Sequence, residues 1–530
     1  MLSKKSLLLN TLYTFNNPTT YRGSIMSNLS VFNVTKMSKS IRVERPYNPI
    51  LDTDGYKYGQ WRVIPNTAIK GMAYVESRGG KYDRIVMTKL QYILQQYLDK
   101  PITRDMIDEA KGLLASHVYD GDGSTFNIEM WEYILEKYNG RLPIVIKALR
   151  EGSVVKTRNV IMTIYVEDPK CISLLTYFED VLLRIWAPIT TATKSFHIKE
   201  AILTFARKSS QFAVDNLFKD YYETGIPSPN LYKFIDFGAR GATCHEHSAI
   251  CGSGHTDSFL GTDTTNGVLL DREHYGEFCS GTTINAAEHS TITLKGRAGE
   301  LGQYLKYIKT YGGQPVFACV SDAYDIKRAV LEMWGGELRE LVIAMDAILV
   351  VRPDSGCPVQ MPYDVIQWLD SKFGHTVLDN GYKLLNHVRV IQGDGVDDVV
   401  INQLIELLEA GKWSIDNITW GSGGWLHSGQ TRDTQKFAYK LCWMNIDGES
   451  VEVYKDPITD SGKVSKRGIV TLIESDGEYT TLQQLDEEVI YDPSLLPGTE
   501  ALEVVYDYGY VAVAYTKREI RERLETFLQI

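Results

Sequence analysis

Five apolar segments, each ending in a polar, glycine-bearing loop, constrain this chain more than any other feature. They are YKFIDFGARG, PVFACVSDAYD, AILVVRPDSG, VRVIQGDGVDD and NITWGSGG, falling between Tyr232 and Gly424. The second, third and fourth run into helical patterns such as IKRAVLEMW and VVINQLIELLEA. Continuous apolar strands alternating with helices indicate a parallel sheet covered on both faces. Ligands of such sheets sit at the carboxyl ends of the strands, whether the sheet closes or stays open. The expectation is therefore an irregular, barrel-like parallel α/β core whose loops share one cleft.

Around that core the patterning changes. TKLQYILQQYLD spaces Leu90, Ile93, Leu94, Tyr97 and Leu98 as an amphipathic helix over 88–99. RLPIVIKALREGSVVKTRNVIMTIYVED reads as short strands broken at Gly152 and Asn159, and helices follow from Cys171 to Lys208. A second strand-rich stretch runs from Phe437 to the end, with turns at Asp447-Gly448, Ser461-Gly462 and Asp476-Gly477. This gives a catalytic core over 181–424 and a mixed helical and β-rich domain from both chain ends, 44–180 with 425–530. Residues 1–43 carry six bases and no acid. They read as a disordered leader or an extension before a start at Met26 or Met37, with an organelle transit peptide as the alternative.

Composition narrows the function. Net charge is −11, which argues against nucleic acid or an anionic membrane as partner. No apolar run reaches membrane-spanning length. Seven cysteines without a CxxC pair fit free thiols in a reducing compartment, and the cytoplasm is the expected location.

The loops carry the chemistry. Gly393-Asp394-Gly395 and Gly421-Ser422-Gly423-Gly424 let backbone N–H groups approach a phosphate. Arg240, Arg352 and Arg432 flank them with guanidinium forks suited to phosphate oxygens. Asp322, Asp354 and Asp394 each follow a strand; there a carboxylate can accept from ribose hydroxyls or hold Mg²⁺ through water. For Asp322 and Asp394 a helix N-cap is the competing reading. His247, Cys251 and His255 in CHEHSAICGSGHTD match no common zinc spacing, and Gly252-Ser253-Gly254 are expected to break a helix there. No G-x-S-x-G elbow supports a serine hydrolase. NAAEHSTIT, residues 285–293, sets Glu288 and His289 among small and hydroxyl residues that would fill a core poorly.

Eight motifs together resemble the nicotinamide phosphoribosyltransferases, which are type II phosphoribosyltransferases. They are DGYK at 54–57, DFGARG at 236–241, GTDT at 261–264, AAEHSTIT at 286–293, SDAYD at 321–325, RPDSG at 352–356, VIQGDGV at 390–396 and YKDP at 454–457. The resemblance implies a pentosyl-transferring glycosyltransferase of NAD biosynthesis. It would join nicotinamide to phosphoribosyl pyrophosphate with Mg²⁺ as cofactor, bound mainly through the diphosphate and water with no direct protein ligand. It also implies a homodimer whose active sites straddle the interface.

By the same resemblance Phe237, and Tyr56 from the partner subunit, would stack on the pyridine ring, and Asp263 would accept from its carboxamide. Arg240 and Arg352 would hold diphosphate or phosphate, with Asp322 near the Mg²⁺-bound diphosphate. Asp354 and Asp394 would meet the ribose, while Gly393, Gly423, Gly424 and Arg432 form the 5′-phosphate end. Lys440, Lys455, Lys463 and Arg78 would reach that end from the other subunit. His289 would be phosphorylated by ATP, a coupled co-substrate, with Glu288 at its other ring nitrogen. Trp425 stands where the family has a third glycine, Ala438 where some members have serine, and Thr283 where a serine lies by the ring pocket. The rival readings are a nicotinate phosphoribosyltransferase, which Asp263 would repel electrostatically from its substrate, and a non-catalytic nucleotide-binding sensor.

Overall fold

All five glycine-bearing segments become strands of one parallel sheet in the computed structural model, which describes residues 46–118, 123–459 and 461–528. The leader at 1–43 lies outside the described residues. The sheet runs Phe234–Asp236, Ile418–Ser422, Val388–Gln392, Ile348–Arg352, Val316–Val320 in spatial order. Isolated parallel bridges Asp236–Thr262, Gly261–Thr282 and Ala286–Ala318 carry the curl from the first strand toward the last. The core is thus an irregular, curled half-barrel. Helices Gln360–Phe373 and Asp398–Ala410 bury apolar stripes on its outside, among them Val365, Ile366, Leu369, Ile401, Leu404 and Leu408.

A seven-stranded antiparallel sheet draws its strands from both chain ends. Its order is Glu449–Glu452, Phe437–Ile446, Ala68–Ser77, Val160–Val166, Val145–Leu149, Leu502–Asp507, Tyr510–Val511. The expected turns at Asp447-Gly448 and Asp476-Gly477 place both residues at positive φ, as tight hairpins require. The described residues from Asn48 onward pack as one compact unit.

Three expectations need correction. The helix His245–His255 runs straight through Gly252-Ser253-Gly254. A Cβ on Gly252 would meet the Thr264 methyl at 2.7 Å, and one on Gly254 the Pro188 carbonyl at 2.9 Å. The glycines therefore serve close helix packing against Thr265–Tyr275 and Trp186–Ser209 and break nothing. The chain does not end in strands: Lys517–Glu525 is a helix with a Thr516/Glu519 capping box. The helix at 88–99 begins at Leu90 and widens into a π-helix over Leu94–Leu98.

That last helix is pinned by buried charge. Lys517 Nζ lies 2.5 Å from Asp257 and 3.1 Å from Asp271, and Lys89 Nζ lies 2.9 Å from the same Asp257. All four side chains are fully buried. Two acids and two lysines cancel in a dry site where any one alone would be costly.

Candidate active site

The strand-end loops meet where parallel-sheet topology places them. The Arg352 guanidinium lies 5.6 Å from the Phe237 ring centroid and donates to Asp354 from Nε at 3.1 Å and Nη2 at 2.5 Å. A Cβ on Gly421 would strike the Phe237 ring at 2.0 Å, one on Gly393 the Arg352 Nε at 3.0 Å, and one on Gly241 the Gly424 Cα at 3.0 Å. Glycine at 421 is thus what lets Phe237 lie flat against the next strand. Four loops are in direct contact.

His289 opens the short helix His289–Thr293 and is 47% exposed. Its Nε2 lies 2.9 Å from Asp322 Oδ1, and its Nδ1 lies 3.8 Å from Asp354 Oδ2. Glu288 does not reach the ring; its carboxylate instead accepts from the Ser290 hydroxyl. The aspartates are also released from the competing role, since the helix caps are Asp325, accepting from Arg328 N, and Asp397, accepting from Val400 N. Asp394 keeps an exposed carboxylate on its loop.

Asp263, expected at the ring pocket, sits at the end of the first strand, its N–H donating to the Asp236 carbonyl at 2.9 Å. The Thr283 hydroxyl donates to Asp263, so threonine keeps the contact a serine would make. Burial raises the Asp263 carboxyl above its ordinary value; Thr283 and Arg352 oppose that rise and Asp236 adds to it. Thr283 also lines a cavity of about 510 Å³ inside the curled sheet, together with Ile284, Ile391 and Tyr232. Tyr56 is 68% exposed and stacks on no ring among the described residues, Phe237 included. Its neighbour Lys57 is buried instead, paired with Glu179 and Asp180.

The basic residues gather elsewhere. Burial lowers the Lys440 ammonium below its ordinary value; Glu179 opposes this, and Arg78, Lys455 and Arg432 add to it, so three further cations act on Lys440. Arg78 is oriented by Glu76 at 2.8 Å, and Arg432 donates to the Phe437 carbonyl at 2.7 Å. Arg240 is exposed on Ala239–Gly241 and Lys463 on Ser461–Lys463. Ala438 is buried opposite Glu76 in the sheet. Sequence reading missed Glu76, the buried pair Asp236 and His427 (2.9 Å apart), and Lys194 beneath Trp425. The last left one signal: a lysine inside the otherwise small and apolar helical run TTATKSF.

Among the described residues no three His, Cys, Asp or Glu side chains form a group able to hold a metal. The donor set of Asp322 and Asp354 fits a hard cation that arrives on an anionic ligand and keeps its waters. No described helix is long and apolar enough to cross a membrane.

Comparison with known proteins bears on this geometry. Residues 232–493 match the model of the nicotinate phosphoribosyltransferase (NAPRTase) family, and residues 48–146 match the nicotinamide phosphoribosyltransferase N-terminal domain. The chain is 41% identical over 477 residues to a protein named nicotinamide phosphoribosyltransferase from Xanthomonas campestris, covering 89% of this chain and 97% of that one. It is 27% identical to a protein of the same name from Acinetobacter baylyi, covering 91% and 98%. Two solved structures share the fold at 14% identity. Nicotinate-nucleotide pyrophosphorylase from Pyrococcus furiosus superposes with TM-score 0.52 over 89% of this chain and 93% of that one. Human nicotinic acid phosphoribosyltransferase does so with 0.50 over 90% and 93%.

Proposed function

The chain belongs to the nicotinamide phosphoribosyltransferase family, and we infer that it joins nicotinamide to phosphoribosyl pyrophosphate, giving nicotinamide mononucleotide and pyrophosphate in NAD salvage. The observation that carries this reading is the convergence of Phe237, Asp263, Arg352, Asp354, Asp322 and His289 on one strand-end cleft.

The ring rests on Phe237, with Tyr56 of the partner subunit on its other face in a homodimer. Asp263 accepts from the carboxamide N–H. The pyridine nitrogen has a free lone pair, so the chain needs no general base; its task is positioning. Arg352 and Arg240 stabilise negative charge on the departing diphosphate, where charge develops. Asp354 and Asp394 accept from ribose hydroxyls, and Gly393, Gly423 and Gly424 receive the 5′-phosphate; Arg432, held beside Arg78, Lys440 and Lys455 of its own chain, meets that phosphate with them and Lys463 from the partner. Mg²⁺ held by the diphosphate, with Asp322 and Asp354 accepting from its waters, would supply further charge neutralisation.

His289 couples the reaction to ATP. Asp322 takes the Nε2–H, which leaves the Nδ1 lone pair for the γ-phosphorus. The N–P bond forms as the bond to the β–γ bridging oxygen breaks, ADP departs, and water later releases phosphate from the imidazole. All seven cysteines are free, which supports a cytoplasmic setting.

The test offers nicotinamide and nicotinate separately, with phosphoribosyl pyrophosphate and Mg²⁺, to the native enzyme and to Asp263→Asn. Native enzyme is expected to use nicotinamide and reject nicotinate. Asp263→Asn loses a charge-assisted hydrogen bond and so roughly tenfold or more in nicotinamide kcat/KM, while its exclusion of nicotinate relaxes. Native preference for nicotinate would overturn the substrate; unchanged selectivity in the variant would move discrimination away from Asp263.

A further inference from the structure

Lys194 is 1% exposed, inside the long helix Trp186–Ser209, and no carboxylate pairs with it among the described residues. Its Nζ donates to the Trp425 carbonyl at 2.5 Å and approaches the Gly429 carbonyl at 3.4 Å. The same ammonium lies 4.4 Å from the centroid of the Trp425 ring. Lys81 approaches that ring at 5.2 Å and is fixed 2.6 Å from Asp398, just beyond the Gly393–Gly395 loop. Trp425 thus joins three elements: the long helix, the segment after Arg78, and the second glycine loop. The turn it begins closes tightly, with Gly429 N–H donating to the Gly424 carbonyl at 2.7 Å and Gly429 too near Trp425 to bear a Cβ.

A buried ammonium with no carboxylate partner is costly, and here two backbone carbonyls and a ring face are what offset the cost. Burial, with Lys81 adding and Cys251 and Asp398 opposing, brings the Lys194 pKa down to about 7. What it holds is the far end of the glycine loop. Glycine-rich backbone loses the most freedom when it orders around a ligand, and anchoring it beforehand removes that cost from binding.

We propose that Lys194 and Trp425 are positioning residues for phosphoribosyl recognition: they fix the Gly423–Gly429 loop so that its leading amides stay aimed at the 5′-phosphate. The inference rests on reading Gly423 and Gly424 as the 5′-phosphate end.

Two ligands differing only in that group separate the possibilities. Nicotinamide mononucleotide and nicotinamide riboside are titrated calorimetrically into native enzyme, Lys194→Met and Trp425→Leu, with Tm recorded for each. Native enzyme is expected to prefer the mononucleotide strongly. Both variants should lose roughly tenfold of that affinity and keep riboside affinity within about twofold. Should Lys194→Met not fold, Trp425→Leu, which keeps apolar bulk but removes the ring face, decides alone. If native enzyme binds the two ligands equally, the 5′-phosphate reading fails and the inference with it. If native enzyme discriminates and the folded variants discriminate as well, or lose both ligands alike, the positioning role is overturned while the subsite stands.

Discussion

A histidine between two aspartates does something a histidine beside a glutamate does not. Asp322 fixes one ring nitrogen, and Asp354 stands too far from the other to occupy it. His289→Ala is therefore expected to abolish ATP hydrolysis and acid-labile phosphate incorporation. Because Phe237, Asp263 and Arg352 are untouched, phosphoribosyl transfer without ATP should fall by less than about tenfold in kcat/KM. Persisting ATPase activity, measured beside native enzyme, would leave the imidazole a structural part only. The identities of these residues were legible in the sequence, but their partners were not. Neighbours at i and i+1 diverge at a helix start, so Glu288 turned to Ser290, while the true partners arrive from strands 33 and 65 positions later (289 to 322, 289 to 354).

Strands and helices were read with uneven success, for reasons visible in particular elements. The five parallel strands announced themselves because both faces are buried and the sequence is apolar throughout. The helix His245–His255 was hidden because its glycines answer to neighbouring helices. The last helix was hidden because Lys517 and Arg521, which look like a solvated face, are buried. Within the glycine-bearing helix, His255 is held neutral: Nε2 faces the Gly261 carbonyl at 3.0 Å and Nδ1 the Ser195 hydroxyl at 2.9 Å. Burial pushes its pKa down to about 4. In the unfolded chain this imidazole takes up a proton below about pH 6.5, but in the folded protein not until about 4. Its contribution to stability is full above the upper value and is lost as pH falls through that window. From neutral pH to near pH 5 the loss amounts to about 2 kcal/mol. Denaturant unfolding at both pH values should show His255→Gln, which does not titrate, with a smaller acid-dependent drop by about that amount; an equal drop would assign the proton uptake elsewhere.

At the scale of the whole molecule, the proposed ring site takes Phe237 from one subunit and the exposed Tyr56 from its partner. Equal amounts of Tyr56→Ala and Phe237→Ala chains, unfolded together and refolded, should regain about a quarter of native activity, since half the dimers are mixed and each carries one intact site. A mixture as inactive as its parents would refute the shared site. The chain's two ends share another dependence. Lys517 completes the charge balance of Asp257, Asp271 and Lys89 from a helix far downstream of all three. Until it arrives, a nascent chain holds two acids against one lysine at a position meant to be dry. Its strand Leu502–Asp507, partner to Val145–Leu149, is also late. The chain must be made through Lys517 before this cluster can balance, and a copy terminated ahead of it carries an unbalanced charge in its interior that marks it for chaperones and proteases.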